Sequence, residues 1–254
     1  MTSSLPLLYN DLAGWFHLLT RPEDYAEEAG IFTNTIRTHL PKAQTLLELG
    51  SGGGNNASHL KQHFDLTLVD LSPDMLAISQ QLNPGIPHYQ GDMRSVRLDR
   101  SFDVVFIHDA VMYLTTEDDL RMAINTAYVH TRPGGLVLIM PDYTQETFRA
   151  GTEQGGHDSS DGYLTHYAGR SLRYLDWTYD PDPTDTSFIV DFTYLLREDP
   201  DRVQCFHDRH ILGLFPRQTW LRLLAETGFQ AWNEPFDHSE VTGITDMFLG
   251  LKPK

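Results

Sequence analysis

The chain of 254 residues contains one cysteine, Cys205. No disulfide can therefore form within it, and a reducing compartment suits it. Residues Met1 to Asn10 contain no basic cluster followed by an apolar stretch, so no secretory leader is expected. Nowhere do about 18 apolar residues run together, so no membrane span is expected either. Basic residues are scarce: 19 Lys and Arg stand against 35 Asp and Glu, for a formal net charge of −16. Such a surface repels phosphate backbones, which disfavours nucleic acid as a partner and disfavours polyanionic proteins too. Internal repeats and low-complexity segments are missing as well. What remains is a soluble, cytoplasmic protein acting on a small molecule, with a homodimer left open. Hydrophobic residues make up 40% and aromatics 11%, with four tryptophans. That supports one well-buried domain with an insertion, or two small domains, and not a disordered chain.

The order of the elements narrows the fold. Thr45–Leu49 predicts a strand ending on Gly50, and Ala57, Leu60 and Phe64 then recur at helical spacing. Leu66–Asp70 predicts a second strand. Ser72 before Pro73 and Asp74 is a helix start, with an N-cap serine and proline at the first helical position. Strands follow at His88–Gln90, Phe102–Ile107 and Leu136–Met140. A helix over Thr116–Val129, capped by Thr115 or Thr116, and a turn at Pro133-Gly134-Gly135 lie between the last two. This alternation requires crossover connections and implies an α/β fold, a mostly parallel sheet with helices on both faces.

After Asp142 the rhythm changes. Residues 151–162 read as a loop. Gly162–Ala168, Ser171–Tyr179, Ser187–Arg197 and Arg202–Leu212 alternate like antiparallel strands. We expect residues 144–213 to be an inserted antiparallel β subdomain that receives a substrate. The core would then comprise residues 1–143 and 214–254, with a helix from Pro216 to Glu226 and strands at Phe229–Asn233 and Thr245–Leu251. The first 40 residues read as amphipathic helices, serving as core packing or as a lid.

Gly50, Gly52 and Gly54 join the first strand to the first helix. Without Cβ atoms they allow a tight turn and a close backbone approach to a ligand, with free N–H groups facing it. Glu48 precedes the loop. Asp70 ends the second strand, where an acid can accept hydrogen bonds from both ribose hydroxyls, and Asp92 follows the third. All three acids fall at the carboxyl ends of adjacent parallel strands, the expected ligand crevice of an open sheet.

Glu48-Leu49-Gly50-Ser51-Gly52-Gly53-Gly54 resembles the E/D-x-G-x-G-x-G motif of the class I S-adenosylmethionine-dependent methyltransferases. Asp70, Gly91-Asp92-Met93, Phe102–Val105 and Pro133–Leu136 continue the resemblance over about 45–140. It implies a Rossmann-like seven-stranded sheet with an antiparallel last strand, here Thr245–Leu251. It also implies S-adenosyl-L-methionine as cofactor, with the loop against its methionine part. Asp70, next to Leu71, would take the ribose hydroxyls. Asp92 would take the adenine amino group, with Met93 beside the ring, and His108 to Val111 would flank the sulfonium. A narrower resemblance, to the amino-sugar N,N-dimethyltransferases of macrolide pathways, rests on three features. They are Tyr9 with Asp24–Ala29, the position of the insertion, and His210–Phe215. It implies that Tyr9 and Tyr25 approach the cofactor carboxylate. Those enzymes tend to carry a histidine after the fourth strand, where this chain has Tyr113.

Methyl transfer from a sulfonium is an in-line displacement that needs alignment, exclusion of water and no metal. An amine nucleophile also needs a base, for which Tyr113, His108 and His210 are candidates. In the insertion, Tyr163, His166, Tyr167, Arg173 and Arg209, together with Tyr113, are candidates for contact with a polar substrate. His207 and His210 are three apart on a predicted strand, hence on opposite faces, and unsuited to share a metal. Methylation of an amine nitrogen is the preferred reading, and O-methylation of a hydroxyl or carboxyl compound is the runner-up. A nicotinamide-dependent oxidoreductase would have to use Gly52–Ala57 as G-x-G-x-x-A, starting three residues beyond the strand. A non-catalytic cofactor-binding protein is the remaining alternative.

Overall fold

The structure is a computed structural model that describes residues 5–159, 169–199, 201–239 and 243–254. The N-terminal segment is a succession of 3-10 turns with one α-helical turn, α1 (Phe16–Leu19), followed by α2 (Ala26–His39). The expected early helix is thus broken. Leu8, Leu12, Trp15 and Leu18 are buried by irregular backbone instead of one amphipathic face.

An alternating run follows: β1 (Thr45–Leu49), α3 (Asn55–Leu60), β2 (Asp65–Asp70), α4 (Pro73–Leu82), β3 (His88–Gln90), β4 (Phe102–Ile107), α5 (Glu117–His130) and β5 (Thr131–Ile139). The predicted caps form. Ser72 Oγ accepts from Met75 N at 3.1 Å, and Thr116 Oγ1 accepts from Asp119 N at 3.1 Å. Pro133-Gly134-Gly135 is not a turn between elements but an irregularity inside β5. The register against β4 shifts there, and Gly134 N donates to Lys252 O. The chain continues through β6 (Gly151–Gly155), β7 (Ser171–Tyr179), β8 (Ser187–Asp199), β9 (Arg202–Gly213), α6 (Arg217–Thr227), β10 (Gln230–Phe236) and β11 (Thr245–Leu251). β6 occupies a stretch expected to be loop. Its sequence, Gly-Thr-Glu-Gln-Gly, carries little strand propensity, and pairing with β7 supplies the order. The strand expected at 162–168 lies outside the described residues.

Seven strands form one sheet in the order β10-β11-β5-β4-β1-β2-β3. β11 runs antiparallel to both its neighbours, while β1, β2, β3, β4 and β5 pair in parallel. Both faces are covered, which is why the central strands are apolar without alternation. Leu47, Val105 and Ile107 pack under α5 and α6 with Trp220 and Leu224. Leu46, Val104 and Phe106 pack on the other face, under α2 and α3 with Phe32 and Ile36.

β6 to β9 form a separate antiparallel sheet. Its inner face carries Leu172, Tyr194 and Leu196, which pack on Leu8, Trp15 and Leu18. Phe188, Val190 and Leu212 of the same sheet pack on Met112, just beyond β4. The second sheet and the N-terminal segment therefore close over the carboxyl ends of β1 to β4. Among the described residues no helix is long and apolar enough to cross a membrane.

Candidate active site

The strand order reverses between β1 and β4, so the loops leaving these strands diverge and open a crevice. There lies a cavity of about 1330 Å³. Glu48 and the glycine loop, Asp70 and Leu71, Asp92 and Met93, and His108 to Tyr113 minus its buried apolar members line it from the main sheet. Tyr9, Phe16 and Tyr25 line it from the N-terminal segment, and Asp208 to Ile211 from the second sheet.

Gly50 and Gly54 have φ of 78° and 80°, a conformation that favours glycine. A Cβ on Gly50 would collide with Ala110, and one on Gly54 with Ser79 and Asn83. The loop's N–H groups are less free than expected. Gly50 and Ser51 both donate to Val69 O, Gly54 donates to Ser51 O, and Gly52 donates to Asp70 Oδ2 at 2.8 Å. Asp70 Oδ1 accepts from Ser72 N at 2.8 Å. The carboxylate thus ties the loop to the β2 end, and Asp70 lines the cavity there.

Glu48 is 2% exposed, and its Oε2 has no hydrogen-bond partner. Burial pushes its carboxyl up to about 8, against a smaller opposing pull from His108. A cation beside it would supply the missing partner. An acceptor for a diol (Asp70) and a counter-charge for a cation (Glu48) within one crevice fit a ligand that carries a ribose and a sulfonium-bearing amino acid.

Asp92 does not stand free at the β3 end. Arg94 grips it through Nε at 3.0 Å from both oxygens and Nη2 at 2.6 Å, and holds Asp119 at 2.8 Å with Nη1. This grip holds the Asp92 carboxyl below its ordinary range. Arg94 had no sequence signal, because Asp119 lies on another element.

His108 sits between Glu28 Oε2 at 3.7 Å and Asp109 Oδ1 at 3.4 Å. Burial alone would lower its pKa. The carboxylates of Glu28, Asp109 and Asp142 outweigh that and raise it to about 10. A histidine held protonated at neutral pH cannot accept a proton, so this geometry disfavours His108 as the base. Glu28 also accepts from Asn56 Nδ2 at 2.8 Å.

Tyr113 and His210, distant in sequence, come together: Tyr113 Oη lies 2.7 Å from His210 Nδ1. Asp208, which the sequence reading overlooked, completes the group with Oδ2 at 3.1 Å from His210 Nε2. The signal was present, since Asp208 and His210 are two apart on a strand and share a face. Tyr9 stands edge-on to Tyr113 with ring centroids 5.6 Å apart. Tyr25 also lines the cavity, 6.5 Å from the His108 ring.

Arg173 does not join this group. It is exposed on the outer face of the second sheet and pairs with Asp158 at 3.0 Å, because its odd register places it opposite Leu172 and Tyr174. Arg209 reaches only the cavity rim, and its guanidinium pairs with Asp191 at 2.7 Å. Tyr163, His166 and Tyr167 lie outside the described residues. The side chain of His207 is 61% exposed while that of His210 is 3% exposed, so the two face opposite sides of β9. Among the described residues no cluster of three or more His, Cys, Asp or Glu is placed to hold a metal ion.

A family profile described as "Methyltransferase domain" matches residues 46–135. The chain is 33% identical over 200 residues to the dTDP-3-amino-3,4,6-trideoxy-alpha-D-glucopyranose N,N-dimethyltransferase of Streptomyces venezuelae, covering 78% of this chain and 80% of that one. A Streptomyces fradiae relative, the dTDP-3-amino-3,6-dideoxy-alpha-D-glucopyranose N,N-dimethyltransferase, is 29% identical, covering 81% of this chain and 78% of its own. Among solved structures, Streptomyces venezuelae DesVI superposes with a TM-score of 0.80 at 25% identity, over 96% of this chain and 98% of that one. The sugar N-methyltransferase KedS8 of a Streptoalloteichus species superposes with a TM-score of 0.79 at 26% identity, over 100% and 96%.

Proposed function

This chain belongs to the class I S-adenosylmethionine-dependent methyltransferases and resembles their amino-sugar N,N-dimethyltransferase branch, and from that we propose that its acceptor is the amine nitrogen of an amino sugar. It is an enzyme that transfers a methyl group to a small molecule. Bound S-adenosylmethionine supplies an electrophilic methyl carbon on a sulfonium.

The observation that carries the reading is the continuity of one cavity. Its donor end holds Glu48, Asp70 and the glycine loop. Its other end holds Tyr113 and His210, polar groups under a sheet that excludes water. We assign Asp70 to the ribose and Glu48 to the cationic amino-acid end. Tyr9 and Tyr25 are assigned to the carboxylate, and Asp92, Met93 and Leu71 to the adenine side. Residues 144–213 are assigned to the acceptor. Placement of two substrates in one cavity supplies the alignment that an in-line displacement requires.

The test is methyl transfer from labelled S-adenosylmethionine to a panel of nucleotide-linked sugars, with an amine or a hydroxyl at the same carbon. Mass spectrometry should find methylated amine and unmodified hydroxyl. Transfer to the hydroxyl compounds alone would replace this reading with O-methylation. We assign the enzyme to the cytoplasm. We also propose a homodimer through the outer face of the second sheet, where Leu175, Trp177, Leu195, Val203 and Ile211 are exposed. Sedimentation of wild type and Trp177→Glu should show a dimer and a monomer respectively, and a monomeric wild type would reject it.

A further inference from the structure

Between the cavity and the second sheet lies a chain of three groups whose polarity the geometry determines. The Asp208 carboxylate only accepts hydrogen bonds, so the His210 Nε2 at 3.1 Å carries the proton and donates it. In a neutral imidazole the other nitrogen is then an acceptor, and Tyr113 Oη at 2.7 Å donates to Nδ1. Asp208 is itself fixed, because Leu8 N donates to the same Oδ2 at 3.2 Å. His210 and Asp208 are buried, and Tyr113, His210 and Asp208 all line the cavity.

We propose that Tyr113, His210 and Asp208 form a relay that takes the proton from the acceptor's nitrogen, with Asp208 as the positioning residue that sets the tautomer of His210. This rests on the reading of the acceptor as a protonated amine. The ammonium N–H proton passes to Tyr113 Oη, and the tyrosine's own proton passes to His210 Nδ1. The result is an imidazolium held by the Asp208 carboxylate. The freed nitrogen lone pair forms the new N–C bond to the methyl carbon as the S–C bond breaks, and that electron pair stays on sulfur. His210 then releases its proton by the reverse route once the product has left. A second methylation repeats the same proton step on the secondary ammonium.

Tyr113 serves as conduit and not as tyrosinate. Burial, the neighbouring Tyr9 and Asp109 all hold its hydroxyl protonated far above its ordinary range. The other charged or titratable groups around the relay are Tyr9 from the N-terminal segment, Asp109 from the turn after β4, and Tyr194 and Asp176 from the inner face of β8 and β7. Phe192, with its ring 4.8 Å from that of His210, screens it from water.

The variant Asp208→Leu tests the relay in the full-length enzyme. It removes the acceptor of Nε2–H, which Asp208→Asn would keep because the amide oxygen would stay opposite Leu8 N, so Nε2 no longer fixes the proton and Nδ1 ceases to be a dedicated acceptor for Tyr113. At neutral pH kcat should fall roughly 100-fold with little change in the acceptor KM. Activity should recover at higher pH, where the acceptor amine is already free. A second readout needs no turnover. Nitrogen-15 NMR of histidine-labelled protein without ligand, with His210 assigned by a His210→Gln difference, should show the Nε2–H tautomer in wild type and an increased share of the Nδ1–H tautomer in Asp208→Leu. Tyr113→Phe keeps the ring packing and should give the same alkaline displacement of kcat with the wild-type tautomer. It decides the question if the Asp208 variant does not fold. A wild-type pH profile in either variant overturns the relay, and so does equal loss at every pH or an unchanged tautomer in Asp208→Leu. If the wild type methylates only hydroxyls, the amine reading fails. The relay is then judged with that acceptor by the same profile and tautomer.

Discussion

Glu48→Gln should make the ligand-free protein more stable while weakening donor binding. In the folded chain the carboxyl is buried without a partner on Oε2 and is pushed from 4.5 up to about 8. Between those two values the folded state holds a proton that the unfolded chain has released. Stability therefore falls as pH rises through this window, and the full contribution is present only below about 4.5. At neutral pH about 2.5 pH units separate the solution from the ordinary value. At about 1.36 kcal/mol per unit this sets a ceiling near 3 kcal/mol. Glutamine keeps the shape and has no proton to take up, so the variant should gain about 2–3 kcal/mol at pH 7. For a chain of this size that is roughly 4–10 °C in Tm. His108 behaves in the same sense at higher pH. Burial lowers its pKa and the surrounding carboxylates overcome that to raise it to about 10. It adds stability below about 6.5 that is lost as pH rises toward 10. Calorimetry of both proteins at pH 5, 6, 7 and 8 separates the two, because the variant should lose the Glu48 slope throughout and keep only the His108 slope above pH 6.5, where the wild type carries both up to about 8. Titration with S-adenosylmethionine should show affinity reduced about 10- to 100-fold, as a cation loses its buried counter-charge. A variant less stable than wild type at pH 7, or with the wild-type slope below pH 6.5, would refute this account of Glu48.

Asp70→Ala should abolish measurable donor binding by calorimetric titration. It should also lower stability by about 2–3 kcal/mol, since the N–H groups of Gly52 and Ser72 lose their charged acceptor. Gly54→Ala combines a left-handed backbone with a Cβ driven into Ser79 and Asn83. A loss of about 2–4 kcal/mol in chemical denaturation is expected, and a loss below about 1 kcal/mol would show that the loop can relax. Trp220→Ala removes a ring stacked on Phe248 at 5.3 Å and should cost about 3–5 kcal/mol. Donor affinity measured well below the new Tm should stay at the wild-type value, because Trp220 lies on α6 away from the cavity.

The geometry of the glycine-loop end of the cavity was legible in the sequence. Glu48, the glycine loop, Asp70 and the serine cap each act within one strand–loop–helix unit. Local spacing therefore predicts their placement, and the alternation of those units dictates a parallel sheet with its crevice at the strand ends. The last strand, Thr245–Leu251, and the three long strands of the second sheet announced themselves by apolar or alternating runs. Tertiary structure decided what depends on contacts between distant segments. It paired Gly151–Gly155 with β7 despite a weak strand sequence, and absorbed Pro133–Gly135 into β5. It turned Arg94 onto Asp92 through Asp119, and turned Arg173 away from the cavity. Above all it decided charge and contact around His108, Tyr113 and His210. His108 owes its raised pKa to Glu28 and Asp142 from other segments as well as to the adjacent Asp109, and Tyr113 meets His210 across 97 residues of chain. Burial removes water from these groups, so each one's chemistry is dictated by its nearest neighbours in space, and local sequence does not record which neighbours those are.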